Sequence, residues 1–245
     1  MSYISKIINF MNSHRTSAQL KQIARGIMIG KYRNALALLL ASDLIINTLS
    51  VITATSNASY VGIIIGLLIS IILVLFGTIL FVGQCSFYLN IACNQKYQFG
   101  DLFNGLKVHP NKTILTQSWI LLCTILPMIP AIVLLFLAFY AEEMTLIFFL
   151  GCGLFILGGA ISWWISLRYS QVYFLLLDFP DSSTKELLNM SWKLMKGNVC
   201  RLLYIQVSFL PLLFAGLISF GIGFLFIKPY QYMTYTLFYL DLIKE

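Results

Sequence analysis

Long uninterrupted apolar stretches constrain this chain more than any other feature. Residues 60–81, 114–140 and 145–167 contain no charged side chain, and residues 35–54 contain only Asp43. A membrane-spanning helix needs about 20 predominantly apolar residues, and each stretch meets that length. Apolar and aromatic residues make up 59% of the 245 residues and charged residues 10%, against about 25% charged in globular proteins. A water-soluble core of this size could not hide so much apolar surface. The expectation is all-α: a polytopic transmembrane helical bundle forming a single integral membrane domain over residues 1–245.

Residues 202–242 are too long for one span, and the Gly221 and Gly223 pair favours a turn between two short ones, 202–219 and 224–242. The count is therefore six spans, with five as the alternative. Residues 1–34 carry six Lys or Arg and no acid. Ile4, Ile7, Ile8 and Met11 share one helical face, and Leu20, Ile23, Ala24, Ile27 and Met28 repeat the pattern, with Thr16 and Gln19 spaced as a capping box. A basic amphipathic segment beside a span suits an interface facing anionic lipid, or a docking surface for a partner protein. The first apolar run starts near Ala35 and is too long for a signal peptide core, so it reads as a retained span.

Orientation follows from the positive-inside rule. Residues 1–34, 90–113 and 168–201 together hold fourteen of the sixteen Lys and Arg, which places those loops and both termini in the cytoplasm. The 55–59 loop and the Glu142–Glu143 hairpin then lie outside, and Lys228 snorkels from a helix end. Tyr60 and Tyr140 fall at the outer boundary; Trp163, Trp164, Tyr169 and Tyr204 fall toward the inner one. The net charge of +7 is explained by this pattern and gives no reason to invoke nucleic acid.

Asp43 is the acid that stands well inside a span. Asn47 and Ser50 follow it at helical spacing and extend a polar stripe, which suits either a proton, cation or substrate pathway or a bond that holds helices together. A charged partner in another span is not evident; Arg168 and Lys228, at span ends, are the nearest. Pro127 and Pro130 break the third span, as a kink or as exposed carbonyls at an ion site. Gly62, Gly66 and Ser70, and Gly158, Ser162 and Ser166, are small residues at four-residue spacing that let helices pack closely, within the chain or across a homo-oligomer. Residues 181–198 read as a cytoplasmic amphipathic helix with a Ser183–Glu186 capping box, an apolar face of Leu187, Leu188, Leu194 and Met195, and a stop at Gly197. Five scattered cysteines and two lone histidines show no metal-ligand or disulfide spacing. No nucleophile, phosphate-loop or zinc motif is present, so neither an enzyme nor a cofactor is expected.

The carboxyl-terminal third carries a recognisable pattern. RYSQVYFLLLDFP, SWKLMKGN and SFGIGFLFIKPYQYMTYTLFYLDL place Tyr169, Ser170, Asp178, Pro180, Ser191, Met195, Lys196, Gly197, Gly221, Gly223, Pro229, Tyr230, Phe238, Tyr239 and Leu240 in a fixed order. ARGIMIGKY, DLFNGLK, Trp119 and Pro130 match more weakly upstream. In these residues the chain resembles a family of bacterial integral membrane proteins catalogued as domain of unknown function 975. It departs by an insertion between the tryptophan-proline segment and the tyrosine-serine pair, which forms most of an extra hairpin. The chain is also similar to membrane domains fused to glycerophosphodiester phosphodiesterases, without the catalytic part. The resemblance implies a helical fold in a bacterial cytoplasmic membrane and supplies no chemistry. A transport or export role, as a permease-like or accessory subunit, is the leading expectation; a scaffold docking partners through its cytoplasmic helices is the rival.

Overall fold

The computed structural model describes residues 15–54, 60–107, 110–140 and 144–243. Ile4 to Met11, His14, His109, Lys244, the 55–59 loop and the Glu142–Glu143 turn lie outside the described residues. Among the described residues every regular element is helical. In order they are α1 (Ser17–Met28), α2 (Tyr32–Ala54) and α3 (Tyr60–Ala92), then a 3-10 turn (Phe99–Phe103) leading into the short α4 (Asn104–Lys107). There follow α5 (Pro110–Ile125), a 3-10 turn (Leu126–Met128), α6 (Ile129–Tyr140), α7 (Met144–Tyr169), α8 (Val172–Asp178) and α9 (Thr184–Leu194). The chain closes with α10 (Val199–Val207), α11 (Leu210–Ile218) and α12 (Ile222–Leu242).

Four stretches among the described residues are long and apolar enough to cross a bilayer: Ile64–Ala92, Pro110–Phe139, Leu146–Asp178 and Val199–Ile218. They correspond to the second through fifth expected spans. α2 and α12 are not among the four. In α12 the reason is composition, since Lys228, Asp241 and four tyrosines dilute its apolar residues.

Burial is concentrated at one end. Along α3, Ile64, Leu68, Ile71 and Ile72 are exposed, whereas every residue from Thr78 to Ile91 except Phe81 is buried. α7 shows the same change: Phe149, Ile156 and Ile161 are exposed, whereas Leu167 is buried and α8 beyond it buries Val172, Phe174, Leu175, Leu176 and Asp178. The exposed end presents side chains that water would penalise and acyl chains would not. The packed end gathers lower α3, α1, α8, α9 and the second half of α12 around one core.

α1 supplies a clear example of what that core demands. Its start is the expected capping box: Gln19 N–H donates to Thr16 Oγ1 at 3.4 Å, and Thr16 N–H donates to Gln19 Oε1 at 2.9 Å. Its apolar face does not turn outward, however. Leu20, Ala24 and Met28 are fully buried, and the helix packs along α12. α9 behaves alike, with Leu187, Leu188, Ser191 and Met195 buried.

The α9 cap gives a pH test. Ser183 N–H donates to Glu186 Oε2 at 2.8 Å, and these bonds hold the Glu186 carboxyl below the usual glutamate range. An acid with a depressed folded pKa stabilises the fold above its unfolded pKa and loses that contribution as pH falls through the folded value. Amide protection factors over residues 184–187 should therefore drop on acidification below the ordinary glutamate pKa. Glu186→Gln should flatten that dependence; an equal drop in the variant would exclude the carboxylate as its source.

Candidate functional site

α7 ends where Ser170 turns back on it. Ser170 N–H and Oγ both donate to Leu167 carbonyl, at 3.3 and 2.8 Å, and α8 starts afresh at Val172. This break points Tyr169, Gln171 and Tyr173 into the space between α3, α5, α10 and α12. The space is a cavity of about 300 Å³ where the exposed rods meet the packed end.

Its polar groups are uncharged. Gln117 comes from α5, Ser166 and Tyr169 from α7, Gln206 from α10, and Tyr232 and Tyr235 from α12; among the described residues no Asp, Glu, Lys, Arg or His lines it. Gln171 is 2% exposed. Its Nε2 donates to Ser170 Oγ at 2.8 Å, while its Oε1 is buried without a hydrogen-bond partner. Such an orphan costs about 1–3 kcal/mol. Tyr173 hydroxyl donates to Gln117 Oε1, and Gln231 Nε2 donates to Tyr235 hydroxyl at 2.6 Å. Phe81 meets Tyr173 edge-on at 5.4 Å between ring centroids and lies 6.0 Å from Tyr232, forming an aromatic wall. The chamber can accept and donate hydrogen bonds and cover an apolar face, but nothing in its lining would neutralise a full charge. Among the described residues no three His, Cys, Asp or Glu side chains gather as a metal site.

The sequence candidates lie elsewhere. Lys228 Nζ donates to Asp43 Oδ2 at 2.9 Å, an ion pair between α2 and α12 with both side chains nearly half exposed. The acid that looked solitary therefore has a cationic partner, 185 residues away. Asn47 Nδ2 donates to Asp43 carbonyl at 2.7 Å and Ser50 Oγ to Ile46 carbonyl at 2.8 Å. Both of these bonds stay within α2. Pro127 lies within the 3-10 turn between α5 and α6, and Pro130 in the first turn of α6. The Pro127 carbonyl lies so close to α7 that a Cβ on Gly158 would come within 2.6 Å of it, and Ser162 Oγ donates to Thr124 carbonyl at 2.6 Å. The small-residue stripe of α7 is thus an intramolecular seam, continued into the chamber by Ser166.

The carboxyl-terminal motif divides into one chamber element and several joints. Tyr169 and Ser170 line the chamber. Tyr239 hydroxyl donates to Asp178 Oδ2 at 2.6 Å in the core. Pro180 carbonyl accepts from Lys112 Nζ at 2.6 Å. Ser191 Oγ donates to Arg168 carbonyl at 2.9 Å. Gly197, at φ +85°, follows the end of α9, beside an exposed Lys196. Pro229 is buried inside α12, and Tyr230 packs against Phe209 at 5.2 Å beneath Arg25. Gly221 ends the α11–α12 turn, and Gly223, in the first turn of α12, packs so closely on α11 that a Cβ there would lie 2.7 Å from Gly216 Cα. The amides and tyrosines at Gln117, Gln171, Tyr173, Gln206, Tyr232 and Tyr235 were not legible as a set. The available signal was weak: Gln117 and Gln206 are primary amides inside otherwise apolar runs.

Among known proteins, the family model described as "Protein of unknown function (DUF975)" matches residues 11–245. No curated protein and no solved structure matches the chain.

Proposed function

Since the chain belongs to that family of unknown function, which lends it a name and no activity, we propose a role read from the chamber itself. The protein is a multi-pass component of a bacterial cytoplasmic membrane, with both termini in the cytoplasm. It acts without catalysis, holding an uncharged, hydrogen-bonding molecule at the membrane boundary as part of a transport or export step. The observation that carries this reading is the uncharged, hydrogen-bonding lining of a cavity of about 300 Å³, with the Gln117, Gln171 and Gln206 amides and four tyrosines around it. That volume lies at the small end of ligand sites, roughly 300–1,000 Å³. Arg33, Lys107, Lys193 and Lys196 are exposed at the packed end, which suits contact with anionic headgroups on the cytoplasmic side. A scaffold role has less support, because the apolar face of α1 is already buried against α12.

Native mass spectrometry of the full chain in mild detergent tests the reading. The wild type should retain an uncharged polar solute or a lipid. Gln206→Trp, which fills the chamber, should lose it, and Gln171→Leu should hold it about tenfold more weakly for one forfeited hydrogen bond. Three identical spectra would remove the chamber from consideration.

A further inference from the structure

The heights of the helices above the chamber differ in a way that bears on how the chain threads the bilayer. Phe81, Tyr173 and Tyr232 are in ring contact, Gln117 bonds to Tyr173, and Gln206 and Tyr169 line the same cavity. These residues share one level. At about 1.5 Å per residue, α3 rises about 31 Å from Phe81 to Tyr60, and α5 with α6 rises about 34 Å from Gln117 to Tyr140. α7 rises about 37 Å from Tyr169 to Met144. All three match or exceed a hydrocarbon core of about 30 Å. From the same level, α10 and α11 rise only about 18 Å from Gln206 to Ile218, and α12 descends only about 15 Å from Ile222 to Tyr232. The last hairpin stops about halfway.

Its tip is built for surroundings without water. Phe220 is 98% exposed and Ile218 83%, with Phe214, Leu217 and Ile222 also exposed. Residues 214–226 include no charged residue, tyrosine or tryptophan, the groups that mark a membrane–water boundary. The turn nonetheless leaves no backbone donor unused from Ser219 to Phe224. Ser219 N–H reaches Ala215 carbonyl, Phe220 reaches Leu217, Gly221 reaches Gly216, Ile222 reaches Ser219 and Phe224 reaches Gly221, each at 3.1 Å. Gly223 N–H donates to Ser219 Oγ at 2.9 Å. Gly221 takes the φ of +87° that this closure requires. A turn in water has no need of internal partners for all its donors; a turn in hydrocarbon does.

We propose that α11 and α12 form a re-entrant hairpin, its tip from Leu217 to Ile222 covered by acyl chains near the bilayer midplane. It enters and leaves by the face that holds the packed end. The helices that rise the full height of the hydrocarbon core are then α3, α5–α6 and α7. The ion pair fits this placement. Lys228 lies about 10 Å below Gly221, and Ser42, next to Asp43, accepts from Gln84 Nε2 at 2.7 Å. Gln84 is below Phe81, so Asp43 and Lys228 sit at the chamber level. A half-exposed pair belongs at that wet boundary rather than at mid-bilayer.

The proposal rests on the multi-pass reading, and cysteine labelling in whole cells separates the two. With a membrane-impermeant thiol reagent, Glu142→Cys should label from outside and Lys193→Cys only after permeabilisation, each read as gain over the wild type. Phe220→Cys, backed by Ile218→Cys, should stay at wild-type background in both conditions and label only after denaturation. Labelling of Phe220→Cys from outside alongside Glu142→Cys would show a full crossing and overturn the hairpin while leaving the multi-pass reading intact. Labelling only on permeabilisation would place the tip in the cytosol and also overturn it. Failure of Glu142→Cys to label from outside would overturn both.

Discussion

Arg201→Met is expected to destabilise the protein by about 3–5 kcal/mol, the usual cost of removing one partner from a buried ion pair. Arg201, on α10, donates to Asp241 Oδ2 near the end of α12 and to Arg15 carbonyl ahead of α1. Arg15 N–H also donates to Asp241 Oδ2, at 3.3 Å. One guanidinium therefore ties together three segments distant in sequence. The Asp241 side chain is fully buried and that of Arg201 is 19% exposed, so methionine would take the guanidinium away from a carboxylate held in the core. Thermal unfolding in detergent reads the effect. Because replacing both members of such a pair by apolar groups is often neutral, Arg201→Met with Asp241→Leu should recover most of the loss. A double variant as unstable as the single would show that packing around Arg201, rather than the stranded charge, is responsible.

Gly83→Ala should cost a comparable amount, about 1–3 kcal/mol or more, as overpacking does in a dense interior. A Cβ at Gly83 would fall 1.9 Å from the Leu102 carbonyl oxygen, and one at Gly105 would fall 2.0 Å from that of Ile79. The segment from Phe99 to Lys107 thus folds back along α3 with backbone almost against backbone. Side-chain bonds fix its register: Asn90 Nδ2 donates to Asp101 Oδ2 at 3.1 Å and Asn104 Nδ2 to Ser86 Oγ at 3.2 Å. A methyl group at position 83 must push the segment away and loosen those bonds. Gly100→Ala, in the same segment but with nothing within 4 Å of the added carbon, should be near neutral. Equal losses at positions 83 and 100 would point to a general intolerance of alanine instead of this contact.

Much of the secondary structure was written in short-range pattern. The helices over 60–92 and 144–169, the Thr16 and Ser183 caps, the stop at Gly197 and the break at Gly221 each depend on residues within a turn or two of one another, so linear spacing suffices to find them. The partner of Asp43 and the lining of the chamber escaped for the opposite reason. Lys228, Gln117 and Gln206 come from three different helices and Gln171 from the turn before α8, and no local rule relates their positions. The apolar face of α1 was legible as a face, but its partner was not. Hydrocarbon and a neighbouring helix both reward removal of that face from water, and periodicity cannot distinguish them.

By itself, then, the sequence determined that the chain is helical, where several of its helices are capped or broken, and that long parts of it are too apolar for water. Those outcomes follow from hydrogen-bond geometry and side-chain transfer, which act over a few residues at a time. Only the tertiary structure decided which apolar surfaces face protein, how high each hairpin stands, and which uncharged groups converge on one cavity. Each of these is set by packing between segments up to two hundred residues apart, where a few ångströms of register separate a buried partner from an exposed one.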